Sequence, residues 1–427
     1  MSVGLDTFLD ARGTSAHAPI NDPETMYQLA NPRLDGGGHH TGPLNGLRVL
    51  DVSIMAAGPW TAALLGMMGA EVIKVEPPDG DGTRWVAPTQ NEMGTNFIAM
   101  NVNKKDITLD LKQPEGLEIA LELAAGCDVL LQNFRVGVLD RLGLGYEALR
   151  KVNPRLVYCS ISGFGETGPL SKAGCADYVM QAYSGFACNN GTSDGEFEAF
   201  RFTGFVDLTT ASVAAEALLA ALIERDASGE GQKVEVSMLE AAFEIQPSRV
   251  CDYLGAGIPS VPRGSESYGL APDGAFRTLD IDVFVTVHND RQWRGLCSAL
   301  ALDAFAGDPR FTTNRLRVGN REDLNDLLLP VFAARPALWW LRSLQKAGVP
   351  VSIAHSFETF RHHEQITSNK MIAQVKSEWG VTSVAGVPWH FSRTPCEVLA
   401  PPKPDQHTEE VLASLARVPA EAPKRSA

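Results

Sequence analysis

The 427-residue chain carries a formal net charge of −14, which disfavours nucleic acid and anionic membrane surfaces as partners but leaves room for a small polyanion in a local cationic groove. Its 44% hydrophobic and 21% charged residues are those of an ordinary globular protein, and its length suits about two domains. Seven cysteines without C-x-x-C spacing read as reduced thiols in a cytoplasmic protein, the opening MSVGLDTFLDARG lacks a secretory pattern, and no apolar run approaches the roughly 20 residues of a membrane-spanning helix.

Residues 1–43 show no clear period and read as an extended arm, with a loop-like GGGHH at Gly36–His40. From Leu44 the pattern becomes strand–helix–strand: Val49–Ser53, Ala57–Met68 and Glu71–Val75, the last ended by Pro77-Pro78. Such a βαβ unit predicts parallel strands with a right-handed crossover. A strand at Ile107–Leu111, a helix at Gly116–Ala125, a strand at Asp128–Gln132, a helix at Leu144–Lys151 and a strand at Leu156–Ile161 continue the alternation. This argues for a doubly wound α/β domain. A long Ala/Leu-rich helix opens near Asp207 and is followed, after a Gly turn, by the strand Lys233–Val236. Beyond Met238 the pattern predicts a helix over Leu239–Leu254, a Gly/Pro/Ser-rich crossover over Gly255–Arg277 and a strand at Asp282–Val287. Helices at Arg291–Leu302, Arg321–Ala333 and Leu338–Ala347 suit a second, smaller domain, and Thr408–Leu415 is a final helix before a frayed end.

Asp207 is the residue of greatest chemical interest. A carboxylate at a helix start is stabilised by the unpaired first-turn N–H groups and the positive end of the macrodipole, which keeps it ionised. It serves either as a helix cap or as a nucleophile, and spacing alone leaves both open. The first βα turn, SIMAAGPW, offers only Gly58 where a dinucleotide fingerprint has three glycines, and Glu76 alone at the end of the second strand does not make an NAD site. There is no P-loop, H-E-x-x-H or zinc cluster, and no His lies between His40 and His288, so no metal is expected. Gly163–Gly165 form a turn whose glycines admit close approach of a substrate. Lys74, Arg84, Lys104, Lys105, Lys112, Arg135 and Arg141 recur at segment ends, with Lys104-Lys105 read as a solvated pair. Asn133-Phe134-Arg135 follows a strand directly, where an aromatic face suits an adenine and a guanidinium suits a phosphate.

Several segments then add up in order: GLRVLDVSIMAAGPWTAALLGMMGAEVIKVEPP, NVNKKDITLDLK, DVLLQNFRVGVLDRLGLGYEAL, NPRLVYCSISGFGETGP, DYVMQAYSGF, the stretch around Asp207, DPRF at Asp308–Phe311, AGVP at Ala347–Pro350 and HTEEVL at His407–Leu412. Together they resemble the family III CoA-transferases, the group of formyl-CoA:oxalate, carnitine and bile-acid CoA-transferases. The resemblance implies an α/β fold: a Rossmann-like large domain plus a smaller α+β domain, in an interlocked, ring-like homodimer. The domains it implies are an arm at 1–43, the first part of the large domain at 44–245, a crossover at 246–277, the small domain at 278–360 and a C-terminal segment, 361–427, completing the large domain. The implied nucleophile is Asp207, with Asp177 as a second acid near the thioester. Implied CoA contacts are Met55, Ala57, Lys112, Asn133, Phe134 and Arg141. The resemblance further implies no permanently bound cofactor, but a coenzyme A thioester, succinyl-CoA among the donors, as co-substrate with a free carboxylic acid.

Three departures bear on the acceptor. Ala56 stands where the oxalate-specific enzyme has Gln, the crossover PRGSESYGLAPDG lacks that enzyme's run of glycines, and Pro77 replaces an adenine-region Arg. A pocket bounded by Met55, Ala56, Trp60, Tyr178, Met180 and Tyr183 would then be roomier and less polar than an oxalate site, unless Trp60 and Met180 are ordinary core residues. Two other readings share the fold. An α-methylacyl-CoA racemase needs a His as well as an Asp near position 177, and the long His-free stretch leaves that pair incomplete. A non-catalytic CoA-binding subunit has no need of both Asp177 and Asp207.

Overall fold

The computed structural model describes residues 41–192, 196–201 and 204–415. The arm assigned to residues 1–43 thus lies outside the described residues up to residue 40, as does the chain end beyond 415. Among the described residues two compact units are present: one built from those up to Ser184, those within Phe200–Cys251 and those from Glu364 onward, the other from those within Gly185–Ala199 and Asp252–His363.

The first unit is organised around six strands: β1 (Arg48–Asp51), β2 (Glu71–Glu76), β3 (Lys104–Thr108), β4 (Val129–Gln132), β5 (Val157–Ser162) and β6 (Lys233–Ser237). They pair in the order β3-β2-β1-β4-β5-β6, all parallel. That is the strand order of dinucleotide-binding folds. Alternate residues feed opposite faces. Leu50, Ile73, Leu130 and Tyr158 pack with helix α2 (Pro114–Ala125) and Leu149 of α3 (Tyr146–Val152), while Val49, Val72, Val129 and Val157 pack beneath α1 (Ala57–Met67) and the long helix that contains Ala214 and Leu218. The strands are apolar on both sides because both faces are covered, as parallel sheets require.

Helix α4 (Asp177–Tyr183) precedes α5 (Phe205–Ser228). By length and composition α5 also suits a bilayer crossing, contrary to the reading of no such run. It is instead laid on the sheet, burying Ala214, Leu218, Ala221 and Leu222, and Arg225 near its end pairs with Asp128 at 2.9 Å.

Three local expectations change. Strand β3 begins three residues before the predicted Ile107, because in its polar first half Lys104 and Asp106 are buried. Lys104 is not a solvated partner of Lys105: it is buried, its amine 2.8 Å from Asp51 and from the Pro59 carbonyl and 2.9 Å from Asn101. Burial pushes its pKa down to about 8 against the pull of Asp51. Glu76 and Arg84 are likewise buried, joined by two hydrogen bonds of 2.8 Å each. The single helix predicted over Leu239–Leu254 is two, α6 (Met238–Glu244) and α7 (Pro247–Ala256), since Pro247 cannot continue the ladder.

The C-terminal segment is tied to the edge strand β3. The Asp405 N–H donates to Asp106 Oδ1 at 2.8 Å, the Asp106 N–H to His407 Nδ1 at 3.0 Å, and Arg84 to the Pro402 carbonyl at 3.2 Å.

The second unit has an antiparallel sheet of β7 (Asp273–Phe276), β8 (Val283–Thr286) and β9 (Val351–Ile353), with β8 central. Helices α8 (Asp290–Ala299), α9 (Arg321–Phe332) and α10 (Ala337–Lys346) close its core through Trp293, Phe332 and Trp340. This unit takes up the chain at Asp252, inside the segment read as crossover, because that segment supplies β7.

Candidate active site

The strand order reverses between β1 and β4, and the chain leaving them builds α1 and α3 on opposite faces of the sheet. A crevice therefore opens at the carboxyl ends of these two strands. Asn133 spans it. Its side-chain oxygen accepts the Ile54 N–H at 2.9 Å and its amide nitrogen donates to the Ile54 carbonyl at 2.7 Å. The turn it holds is tight: a Cβ on Gly58 would lie 2.3 Å from Ser53 Cβ and 3.3 Å from Asn133 Cγ, so glycine is required. Met55, at the crest of the turn, has φ 69°, a left-handed conformation uncommon outside glycine. Its N–H meets buried Asp81 at 3.3 Å, and Asp81 is in turn 3.2 Å from the buried amine of Lys74. Among the predicted CoA contacts, Met55, Ala57, Asn133 and Phe134 gather here, with Met55 exposed, Ala57 buried and Phe134 packed against the α2 side of the core. Lys112 and Arg141 stand on the segments following β3 and β4, Lys112 exposed and Arg141 exposed.

A second group forms where α4 meets α5. Asp177 opens α4 and is 5% exposed. The Asp207 backbone N–H donates to Asp177 Oδ2 at 2.9 Å, and Gln181, one turn further along α4, donates Nε2 to Asp177 Oδ1. The cap of α5 is Gly204, and Asp207 is the third helical residue, so the capping role left open by the sequence does not apply. A Cβ on Gly204 would lie 3.2 Å from Asp207 Oδ2 and 3.6 Å from Asp177 Oδ2; both carboxylates converge on bare backbone. Their electrostatics also differ from the expectation. Burial, and then the charge of Asp177, outweigh the helix terminus and push the Asp207 carboxyl up to about 7.

Between the two groups lies a cavity of about 140 Å³ whose lining includes Phe134, Arg135, Gly163, Ser171, Cys175 and Met238. Cys175 forms the wall toward the acids: its thiol is pushed up to about 11, by burial first and also by the Asp207 and Asp177 charges. Gly163 is needed because a Cβ there would come 2.4 Å from Cys175 Cβ. The Arg135 guanidinium lies against Gly174, where a Cβ would be 2.8 Å from Nη2.

Two residues considered for an acceptor pocket are core. Met180 is fully buried with Val206 and Met238, and Trp60 packs with Ala63, Leu64, Trp389 and Val398. Tyr178 donates its hydroxyl to the Arg201 carbonyl at 2.6 Å, and Tyr183 and Met55 are exposed. Gln181 and Asp81 had no assigned role from sequence. The i, i+4 spacing of Asp177 and Gln181 was the available signal for the first. Nothing local marks the second. Among the described residues no group of three His, Cys, Asp or Glu side chains is placed to hold a metal ion.

Residues 44–408 match the sequence signature of CoA-transferase family III. The chain belongs to that family. It is 34% identical over 380 residues to the succinyl-CoA:glutarate CoA-transferase of Mus musculus, covering 88% of this chain and 87% of that one. The succinate–glutarate CoA-transferase of Agrobacterium fabrum is 34% identical over 388 residues, 87% of this chain and 96% of its own. Among solved structures, a CAIB/BAIF family protein from Brucella suis superposes with a TM-score of 0.79 at 31% identity, over 88% of this chain and all of that one. As a family III CoA-transferase, the enzyme moves CoA from an acyl-CoA thioester to a free carboxylic acid.

Proposed function

We propose that this transferase carries CoA from succinyl-CoA, or a donor of that kind, to a dicarboxylic acid of about glutarate size, by way of Asp207. The observation that carries the reading is the Asp177–Asp207 pair, in which the Asp207 N–H donates to Asp177 Oδ2 at 2.9 Å, near a cavity lined by Phe134 and Arg135 after β4 and by Cys175 two residues before Asp177. The ionised Asp207 oxygen attacks the thioester carbonyl; the C–S bond breaks and CoA thiolate leaves, giving a mixed aspartyl anhydride. The thiolate attacks the Asp207 acyl carbon, releases the donor as its carboxylate and leaves an aspartyl-CoA thioester. The acceptor carboxylate then attacks that thioester, and the returning thiolate takes the acceptor acyl group, restoring Asp207. Each intermediate keeps the acyl group activated, so water must be excluded. Met55, Ala57, Asn133 and Phe134 are the CoA side of the site, Lys112 and Arg141 its outer cations, and Asp177 the charge that keeps Asp207 basic.

The names of the glutarate-using relatives support the acceptor size, as does Ala56 in place of a polar side chain. Seven free cysteines support the cytoplasmic reading. No bound cofactor enters the scheme; the CoA thioester is a substrate. We further propose that the working form is an interlocked homodimer.

Incubation with succinyl-CoA and hydroxylamine is expected to convert Asp207 to a hydroxamate detectable by peptide mass. Across an acceptor panel, glutarate should outperform oxalate, and Asp207→Ala should lose at least about a thousandfold in kcat, as loss of a covalent nucleophile does. Full activity in that variant with no adduct in the parent would sink the mechanism. Preference for oxalate would sink the acceptor reading alone.

A further inference from the structure

Gln181 is fully buried and every polar atom of its side chain is engaged. Its Oε1 accepts the Phe200 N–H at 2.8 Å, and its Nε2 donates to the Phe200 carbonyl at 3.2 Å. This two-way pairing fixes the amide's orientation, since only the oxygen can face an N–H. The second Nε2 hydrogen is thereby aimed at Asp177 Oδ1. The segment so gripped leads into α5, and it is held again one residue on, where the Tyr178 hydroxyl meets the Arg201 carbonyl at 2.6 Å and the Arg201 guanidinium lies 4.5 Å from the Tyr178 ring centre. Asp177 Oδ2 takes the Asp207 N–H. A closed circuit results: Phe200 to Gln181, Gln181 to Asp177, Asp177 to Asp207, and Asp207 back along the chain to Phe200.

We infer that Gln181 is the positioning residue of the transfer site, holding the Asp177 carboxylate in one rotation and registering the start of α5 so that Asp207 faces the thioester. The inference rests on the Asp207 reading above. Without the amide, Asp177 is free to turn and share a proton with Asp207, which would occupy the nucleophile's oxygen. With it, Asp177 is held at both oxygens and acts on Asp207 through its charge alone. Gln181 touches neither substrate nor the reacting atoms.

Gln181→Met keeps the volume and removes all three hydrogen bonds. Loss of bonds to a charged group at a site where geometry matters is expected to lower kcat by about ten- to a hundredfold, with the KM for succinyl-CoA held within about twofold. Hydroxylamine trapping should slow by the same factor, and the acidic limb of the pH profile should move. Gln181→Glu retains an acceptor for the Phe200 N–H but loses the donor unless protonated. Its kcat relative to the parent should therefore rise as pH falls from about 8 to about 6, a ratio that mere loosening of the fold would leave flat. If Gln181→Met does not fold, that ratio decides. A folded Gln181→Met with parental kcat and pH profile, or a Gln181→Glu ratio independent of pH, overturns the inference. Asp207→Asn assayed beside them separates the two ideas: inactive Asp207→Asn with parental Gln181→Met defeats only the positioning role, whereas active Asp207→Asn defeats the nucleophile reading on which it stands.

Discussion

Asp207 lies under opposing electrostatic influences, the positive first turn of α5 on one side and low-dielectric surroundings with Asp177 on the other. The second set wins, and the carboxyl rises from 3.8 to about 7. Two consequences follow at the scale of this one side chain. If the ionised form is the nucleophile, kcat/KM must fall as pH drops through about 7, because protonation removes the attacking oxygen. Stability runs the other way. An acid whose folded pKa is raised binds its proton more tightly when folded, so ionisation costs stability, none of it below the unfolded value of 3.8 and all of it above about 7. Asp207→Asn removes that cost. Discounted for partial exposure, the gain at about pH 8 is on the order of 1 kcal/mol, or about 2 °C in melting temperature. The difference from the parent should shrink toward zero as pH falls to about 4, and calorimetry at both pH values measures it. An Asp207→Asn variant no more stable than the parent at the higher pH would refute the electrostatic account. The sequence showed a carboxylate opening a helix and, by resemblance, its acidic partner. It did not show the elevation, because that depends on two chain segments 30 positions apart meeting across 2.9 Å.

At the scale of elements, the alternation of strands and helices was readable because both faces of the sheet are apolar and the strands are short. The readable pattern failed where burial is polar. Strand β3 began early because Lys104 and Asp106 are inside as ion pairs, a use of charge that hydropathy cannot signal. Helix α5 erred in the other direction, its Ala/Leu composition suiting a bilayer as well as a sheet face. The turn between β1 and α1 was seen only as a deficient dinucleotide fingerprint. Its single glycine is nevertheless the tightest constraint there, with 2.3 Å between a Gly58 Cβ and Ser53 Cβ. Gly58→Ala must push the turn away from Asn133, at a cost of about 1–3 kcal/mol for such overpacking. Because Met55 sits on that turn and Asn133 holds it, the KM for succinyl-CoA should rise about tenfold while the hydroxylamine-trapped fraction at saturating donor stays near parental. An unchanged KM in a folded Gly58→Ala protein would remove this turn from the CoA side of the site.

At the scale of the whole molecule, the chain leaves the first unit, builds a second and returns, with Arg84, Asp106 and His407 fastening the returning segment to β3. That return was legible only through the resemblance, since Pro-rich sequence such as Ala400–Pro404 says nothing of where it docks. Helix α7 buries no residue, and its Tyr253 and Leu254 are 60% and 77% exposed. Apolar side chains exposed on a helix call for a cover, and the proposed homodimer would supply one from a second copy of the chain. Light scattering should therefore give a mass of about 92 kDa, twice the 46.0 kDa of one chain. Interlocking makes a sharper demand than dimerisation. Threaded rings cannot part unless a ring opens, so subunit exchange requires unfolding of at least one closure. Tagged and untagged dimers mixed under native conditions should form no mixed species over days, and should form them freely after denaturation and refolding. Mixed dimers appearing within minutes at native pH would leave a side-by-side dimer standing and the threaded one refuted. A species of 46.0 kDa that retains full transferase activity would refute both.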